Sequence, residues 1–341
     1  MVSHTGAREH GRVIPSSVSR RVAAVRDVPA VAAPVAPVAQ APHAVVMIRP
    51  HAFRPNPATR ADNAYQALPT APTDEVARAA HAEVSLMAER LVDHGVTVHL
   101  FEDLGSATPD SVFPNNWFST HHDGRVVLYP LTHANRRAER RGDVLARLGE
   151  VYEVSEVVDY SPAEAVGTYL EGTGAMVLDH RDRLAYVCRS QRAHESLVER
   201  FCDELGYRAV FFDAVDPLGH PVYHTNVALS VGDQVALAAL SLVPDGQQRT
   251  RLRSTLEASG RAVVDLGADQ VCAFAGNALE VTGAAGPVLV VSARGWASLR
   301  RRQRAVVEEH LAVLPVDIPT IELAGGSARC MLAGIHLTRR S

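Results

Sequence analysis

The chain has 341 residues, of which 47% are apolar, 21% charged and 5% aromatic. This composition supports a large buried core and excludes a disordered or fibrous protein for most of the length. The formal charge is -4, and all 34 basic residues are Arg. We therefore expect no nucleic-acid partner, and the absence of Lys excludes a Schiff base or a phosphate-loop Lys.

The N-terminal segment is rich in Ala, Val and Pro, and it has no apolar run long enough for a signal sequence or a membrane span. We predict that residues 1–42 are a disordered extension and that residues 43–341 are a single folded domain. The sequence has four cysteines and no CxxC pair. This spacing indicates neither a zinc ribbon nor a disulfide scaffold, and it favours a cytoplasmic location.

A unit of helix, glycine and strand recurs along the chain. Glycine follows each of the first four predicted helices at positions 95, 149, 206 and 260, so the repeat is 54 to 57 residues long. Short apolar runs typical of strands lie between each strand and the next helix. The predicted helices span residues 75–94, 136–148, 192–205, 247–259 and 296–311.

Each unit is therefore predicted to form two strands, a helix and a third strand. Single strands between helices would indicate a doubly wound sheet, and a two-domain α/β protein is the alternative. About three strands per helix instead favour an α/β propeller, a closed ring of five ββαβ blades with pseudo-fivefold symmetry and the helices outside.

One cysteine stands apart from the others. Cys330 follows the flexible Gly325-Gly326 pair and has Arg329 beside it, an arrangement that favours a reactive thiolate. A buried inert thiol is the alternative. The remaining cysteines, Cys188, Cys202 and Cys272, lie in apolar strand or helix patterns and are interpreted as buried thiols.

Two further residues are candidates for proton transfer. His224 lies in YHTN at the start of an apolar strand, and Glu171 lies in LEGTG before another. Paired in space with a cysteine, the imidazole could act as acid and base, although a structural His and an ordinary loop acid are the alternatives. The adjacent pair His121-His122 lacks an HExxH pattern, and there is no phosphate loop or dinucleotide fingerprint, so we expect no metal and no cofactor.

Several motifs occur in one order along residues 44–341: MIRPHAFRPNPATRADNAYQ, VFPNNW, YPLTHANRRAERR, LEGTGAM, CRSQRA, YHTNVALSVGD and GGSARCM. In this order they resemble the pentein superfamily, which includes amidinotransferases and arginine-deiminase-like enzymes. The first motif most closely resembles the citrulline ureidohydrolase (CtlX-like) branch. The resemblance implies the five-bladed pentein α/β-propeller and a single catalytic domain.

The resemblance also implies roles for individual residues. Cys330 would be the nucleophile, His224 the acid/base, and Glu171 a group that binds the substrate nitrogens and helps to move protons. Arg192 and Arg137 would hold the carboxylate of an amino acid, with Arg136 an equally good choice for the second. The further residues implied to bind substrate are Asn115, Asn116 and Asn226.

Three positions depart from the pattern of guanidine-acting relatives. Asn116, Gly174 and Asn226 stand where a carboxylate is usual, and a ureido group, unlike a guanidinium, is uncharged and offers a carbonyl acceptor. We therefore expect a small amino-acid substrate, citrulline, cleaved to ornithine, ammonia and carbon dioxide.

Other functions remain open at this stage. They are hydrolysis or deimination of arginine, methylarginine or succinylarginine, transfer of the amidino-like group to an amine, and a non-catalytic ring that only binds. We expect no membrane partner, and the sequence is compatible with a homo-oligomer.

Overall fold

The computed structural model describes residues 38–216 and 219–341, and within them five three-stranded sheets account for all the strands. In every sheet the middle strand is antiparallel to one neighbour and parallel to the other. The strands are β1 (Ala44–Pro50), β2 (Thr97–Asp103), β3 (Phe118–Thr120), β4 (Arg125–Leu128), β5 (Glu156–Asp159), β6 (Met176–Asp179), β7 (Leu184–Cys188), β8 (Arg208–Phe212), β9 (Leu229–Val231), β10 (Val235–Ala238), β11 (Ala262–Asp265), β12 (Leu279–Gly283), β13 (Gly286–Ser292), β14 (Ala312–Val316) and β15 (Ala333–Ile335).

Four sheets use strands that follow one another in the chain, β3-β4-β5, β6-β7-β8, β9-β10-β11 and β12-β13-β14. The fifth has the order β15-β1-β2, so the C-terminal strand completes the blade that the N-terminal strands begin. The five ββαβ units predicted from the repeat are thus confirmed as the blades of a pentein-type α/β propeller. We call β15, β3, β6, β9 and β12 the inner strands, because each is the first strand of its blade.

The helices that connect middle and outer strands differ from the predicted ones at their ends. Gly95, Gly206 and Gly260 have left-handed backbones with φ between 72° and 82°, as a helix stop requires. Gly149 does not end its helix, which continues to Val151, so that prediction was wrong. The helices are α1 (Thr73–Asp93), α2 (Gly142–Val151), α3 (Gly172–Ala175), α4 (Glu195–Leu205), α5 (Thr225–Ala228), α6 (Gly246–Ala258), α7 (Ala268–Cys272), α8 (Ala293–Ser298), α9 (Arg301–His310) and α10 (Pro319–Glu322).

Two predicted helices change for identifiable reasons. The helix predicted over 136–148 begins only at Gly142, because Ala134–Glu139 forms a 3-10 turn that buries Arg136 and Glu139. The helix predicted over 296–311 is interrupted at Leu299, whose extended backbone places its side chain in the core. None of the helices in the described part of the chain is long and apolar enough to cross a bilayer.

The blades are held together by apolar side chains at their inner and helical faces. On α1 the buried residues include Val76, Ala80, Val84 and Leu91, spaced three, four or seven residues apart, so one helix stripe packs on the first sheet. Strands β6 and β7 are buried at every position, as expected for strands covered on both faces. The rigid ring fixes the loops at the ends of the inner strands.

The structure also bears on the predicted extension and on the cysteines. Residues 1–37 of the predicted extension lie outside the described residues, whereas Gln40, Ala41 and Pro42 are buried in the ring. The Gln40 side chain donates to the carbonyls of Leu178 and Val231, both at 2.9 Å, so the packed chain begins at Gln40 and not at residue 43.

All four cysteines are described and free. Cys188 and Cys202 are buried as predicted. Cys272 is exposed because it ends the short helix α7 and is not part of a strand, which corrects the expectation for that residue.

Candidate active site

Five equivalent positions precede the inner strands, two or three residues before each strand begins. They are spaced by 51 to 58 residues along the chain, which is the repeat length of the blades. We call them the front positions: Asn116, Gly174, Asn226, Asn277 and Cys330. Because the inner strands surround the ring axis, these positions meet at one end of it.

The sulfur of Cys330 lies among amide groups. Asn226 and Asn277 each donate a side-chain N–H to Sγ, at 3.3 and 3.2 Å, and the Cys330 backbone N–H donates to Asn277 Oδ1 at 3.3 Å. Cys330 is 2% exposed. Two donors aimed at one sulfur stabilise its thiolate form, the form that acts as a nucleophile.

His224 and Glu171 form a hydrogen-bonded pair beside this sulfur. His224 Nε2 donates to Glu171 Oε2 at 2.8 Å, and both side chains are almost completely buried. Burial lowers the pKa of His224 to about 4, although the Glu171 carboxylate opposes the shift. The imidazole is therefore neutral near pH 7, and its other nitrogen, Nδ1, is free of the contact with Glu171.

Glu171 is held as a carboxylate by several donors. Oε1 accepts the backbone N–H of Thr132 at 3.0 Å, while Oε2 accepts from Arg136 at 3.3 Å and Arg192 at 3.2 Å. Burial would raise the pKa of Glu171, but Arg192, His224 and Arg136 together hold it well below its ordinary value. The acid can thus orient the imidazole and stabilise its protonated form.

The two arginines that the structure brings together are Arg192 and Arg136. Arg192 binds Asp62 through Nη2 at 2.8 Å and Nε at 3.2 Å, and Arg136 is paired with Glu139 at 2.9 and 3.0 Å. Arg137, predicted as a substrate ligand, does not line the cavity. It is one-third exposed and lies against Glu164 at 3.3 Å, because adjacent residues of a tight turn point in different directions.

A small cavity of about 270 Å³ joins these groups. Its lining includes Asn116, Arg136, Arg192, His224 and Cys330, whereas Glu171 lies behind His224. This volume is at the lower limit for ligand pockets and suits a small molecule. Asn115, predicted as a substrate ligand, does not line it: the side chain is fully buried, and its carbonyl accepts the Thr173 hydroxyl at 3.1 Å.

The loop between β1 and α1 covers this cavity. Thr59 and Asn63 line it, and the Asn63 amide donates to the Ala324 carbonyl at 3.1 Å. Asp62 is anchored by Arg192 and by His133 at 3.2 Å. Burial opposes ionisation, but His133 and Arg192 lower the pKa of Asp62 to about 2, so the anchor carries a negative charge.

Three site residues were missed by the sequence analysis: Asp62, Asp110 and Asn277. Asp110 lines the cavity and accepts from Asn56 at 2.7 Å; within the described chain its Oδ1 has no partner. Asn277 carried a usable signal, because GNALEV follows TNVALSV at the repeat spacing and aligns Asn277 with Asn226. The two aspartates lie in loops where no periodic pattern marks them.

A five-bladed ring with a cysteine, a histidine and a glutamate at one end of its axis defines a class. These are the features of the pentein hydrolases, enzymes that act on amidino-type carbon–nitrogen bonds. The family model described as N,N dimethylarginine dimethylhydrolase, eukaryotic, matches residues 49–337, and the chain belongs to that family. None of the curated proteins matches the chain.

Solved structures share the fold at low sequence identity. The N-terminal domain of ArgZ, an arginine dihydrolase from the ornithine-ammonia cycle in cyanobacteria, was solved with product bound; it has a TM-score of 0.66 and 16% identity, over 86% of this chain and 98% of that one. Unliganded AgrE has a TM-score of 0.66 and 14% identity, over 87% of this chain and 40% of AgrE. A mutant of the Pseudomonas aeruginosa DDAH, complexed with citrulline, has a TM-score of 0.58 and 14% identity, over 87% of this chain and 98% of that one.

Proposed function

We propose that the chain hydrolyses the ureido group of citrulline, with Cys330 as nucleophile and His224 as acid and base. The observation that carries the proposal is the uncharged character of the front positions. Asn226 and Asn277 contact the sulfur, and Asn116 lines the same cavity. An amide can donate to a ureido oxygen and accept from a ureido N–H, whereas a carboxylate can only accept.

Gly174 supports the same conclusion. A Cβ atom at this position would lie 2.2 Å from Asn116 Oδ1 and 2.8 Å from His224 Nδ1. The carboxylate that guanidine-acting relatives are expected to have there therefore has no room. Burying an unpaired carboxylate against a neutral ligand is also unfavourable, and this selects against that arrangement for a ureido substrate.

The proposed reaction has two steps. The Cys330 proton passes to His224, and the thiolate attacks the ureido carbon and forms a carbon–sulfur bond. The tetrahedral intermediate then expels an amine, which takes the proton from His224. Glu171 stabilises the imidazolium between these transfers.

Water resolves the enzyme-bound thiocarbamate in the second step. His224 accepts a proton from this water as it attacks, the carbon–sulfur bond breaks, and the thiolate is restored. The carbamic acid released decomposes, so citrulline and one water give ornithine, ammonia and carbon dioxide. An amine in place of water would make the same site a transferase.

Substrate binding is assigned to residues that the cavity exposes. Arg192 and Arg136 take the role first expected of Arg192 and Arg137, because a guanidinium grips a carboxylate bidentately. Arg192 is engaged by Asp62 in this structure. A substrate carboxylate would therefore compete with Asp62 and loosen the loop that covers the cavity.

A guanidine substrate is the second candidate, and Asp110 favours it. This carboxylate lines the cavity, and no described residue binds its Oδ1, so it could accept from a guanidinium. The amides at the front positions lie closer to the sulfur and favour the ureido group at the reacting carbon. We further propose a cytoplasmic location, which the free state of all four cysteines supports.

The deciding experiment incubates the purified chain separately with citrulline, arginine and methylarginine and measures ornithine, citrulline and ammonia. We expect ornithine and ammonia from citrulline, with a higher kcat/KM than for either guanidine. Asn116→Asp should lower kcat/KM for citrulline by at least about tenfold, because it places an unpaired carboxylate beside a neutral group. A higher kcat/KM for arginine, lost in Asp110→Asn, would establish the guanidine function instead.

A further inference from the structure

A second cluster of reactive side chains lies at the opposite end of the inner strands. His122, His180 and His336 bring ligand nitrogens within 4.8 Å of one another. They come from three different blades and are separated by at least 58 residues in the chain. No local sequence motif connects them, which is why the sequence analysis expected no metal.

The repeat nevertheless relates these histidines. Each lies six residues after a front position: His122 after Asn116, His180 after Gly174, and His336 after Cys330. The same offset in the remaining two blades gives Gly232 and Gly283. We call these five the back positions, and three of the five carry imidazoles.

The glycines at the other two back positions leave no room for a side chain. A Cβ atom at Gly232 would lie 2.2 Å from Glu280 Oε2, and one at Gly283 would lie 2.4 Å from the His94 carbonyl. The imidazoles are therefore confined to the side of the ring where β3, β6 and β15 end. There His180 and His336 line a cavity together with Arg329.

Two of the histidines are oriented by neighbouring groups. His122 Nε2 donates to the Ala39 carbonyl at 3.0 Å, which leaves the Nδ1 lone pair free. His180 Nδ1 is hydrogen-bonded to the Tyr207 hydroxyl at 2.8 Å, which leaves Nε2 free. A backbone carbonyl or a hydroxyl that fixes the second nitrogen is the usual outer partner of a metal-binding imidazole.

The third histidine supplies an independent sign of a missing ligand. Nδ1 of His336 is buried, and no hydrogen-bond partner for it exists among residues 38–216 and 219–341. Its ring lies against that of His180 with centroids 3.8 Å apart, so the two imidazoles face the same small space. Buried polar atoms are rarely left unpaired, and a bound ion would satisfy this one.

We propose that His122, His180 and His336 form a binding site for zinc or a similar borderline transition metal. Three neutral imidazoles match the ligand preference of Zn²⁺, Cu²⁺ and Ni²⁺, and they do not suit Mg²⁺ or Ca²⁺, which prefer oxygen. Tetrahedral zinc with nitrogens at about 2.0–2.1 Å needs nitrogen separations of about 3.3 Å. Metal binding would therefore draw the three side chains together from separations of at most 4.8 Å.

The fourth position on the metal is open to an exogenous ligand. The cation Arg329 lines the same cavity, and it would favour an anion such as hydroxide or chloride there. The site would also tie three blades together, including β15, the strand that closes the ring. His122 further links the site to Ala39, so the metal would stabilise the first residues of the packed chain.

Two other sites on the chain could bind the same metal and provide the controls. Cys330 and His224 line the active-site cavity, and a thiolate binds zinc well. His51, His81 and Glu102 form a more exposed group on the surface. Glu102 is already engaged there by Arg49 at 3.0 and 3.2 Å, which weakens that group as a competitor.

The test uses the full chain without a histidine tag, stripped of metal and titrated with Zn²⁺ against a chromogenic chelator. Cys330→Ser should retain one zinc per chain, and His81→Ala should bind like the wild type. His336→Ala and His122→Ala, made at partly exposed residues, should weaken this zinc site at least about 100-fold, because loss of an outer partner alone costs 10- to 100-fold. Zinc should raise the thermal midpoint of the wild type more than that of His336→Ala.

X-ray absorption at the zinc edge of the loaded wild type decides the case even if a variant fails to fold. We expect nitrogen ligands at about 2.0–2.1 Å and no sulfur at about 2.3 Å. A sulfur ligand, or loss of zinc in Cys330→Ser, would place the metal at the active site and overturn the proposal. Equal binding by His336→Ala and the wild type, loss of zinc in His81→Ala, or no stoichiometric zinc at all would overturn it as well.

Discussion

Asn277 gives the sharpest test of how the front positions work. Its amide donates to Cys330 Sγ at 3.2 Å, and its carbonyl oxygen accepts the Cys330 N–H at 3.3 Å. A hydrogen bond to a charged acceptor is worth about 1.5–3 kcal/mol. Losing the donor in Asn277→Ala should therefore lower kcat/KM for citrulline by about 10- to 150-fold.

Asn277→Asp separates the donor from the shape of the side chain. It keeps an oxygen for the Cys330 N–H but places a carboxylate near the sulfur, so kcat/KM should fall at least as far as in Asn277→Ala. Alkylation of Cys330 by iodoacetamide should slow in parallel, because the thiolate is the reactive form. Cys330→Ser gives the background rate from the other thiols.

The matched control is Gln270→Ala, which removes a buried amide far from the sulfur along the chain. Gln270 donates to the Ser298 carbonyl at 2.9 Å, so this variant should lose stability without losing kcat/KM per folded chain. The reasoning fails if both Asn277 variants keep kcat/KM and alkylation rates within about threefold of the wild type while the fold is intact.

Other consequences can be measured on the same enzyme. Cys330→Ser should lower ammonia release from citrulline at least about a thousandfold with little change in thermal midpoint. Arg192→Lys should raise KM more than about tenfold by losing its bidentate grip, whereas Arg137→Ala should leave KM unchanged. Gly174→Ala should lower kcat/KM, because its Cβ would displace Asn116. Since His224 titrates near pH 4 when folded and near 6.5 when unfolded, the unfolded chain binds more protons between these values; stability in urea should fall as pH drops from about 6.5 to 4, and less steeply in His224→Gln.

The sequence predicts the ring because its repeat is written in strong local signals. Apolar periodicity and a left-handed glycine stop mark three of the helices, and short apolar runs mark the strands. The ends of the elements are less predictable, because burial of particular residues decides them. Arg136 and Glu139 replace the first turn of a predicted helix with a 3-10 turn, and Leu299 interrupts another to reach the core.

The site divides in the same way. Cys330, His224 and Glu171 lie in distinctive motifs, and the structure places Glu171 against His224 and Cys330 in the cavity with His224. Arg136 and Arg137 are neighbours of one residue type, so only the turn they occupy decides which reaches the cavity. Asp62 depends on how a loop folds back on Arg192, a contact across 130 residues that no local pattern contains.

The two ends of the inner strands lead to a final prediction about their independence. Cys330 and His336 are six residues apart, which corresponds to at most about 20 Å of extended chain. The inner strands between them are buried, so changes at a back position reach the sulfur only through a rigid ring. We therefore expect His336→Ala to keep kcat/KM for citrulline within about twofold, with and without zinc, while it loses the zinc site.

A large fall in kcat/KM in His336→Ala, restored by neither zinc nor a return to the wild-type melting temperature in stabilising buffer, would show that the two ends are coupled. The matched comparison is Cys330→Ser, which should lose turnover and keep zinc. Opposite losses in these two variants would show that one repeat, read at two offsets, supplies two separate sites on the same strand.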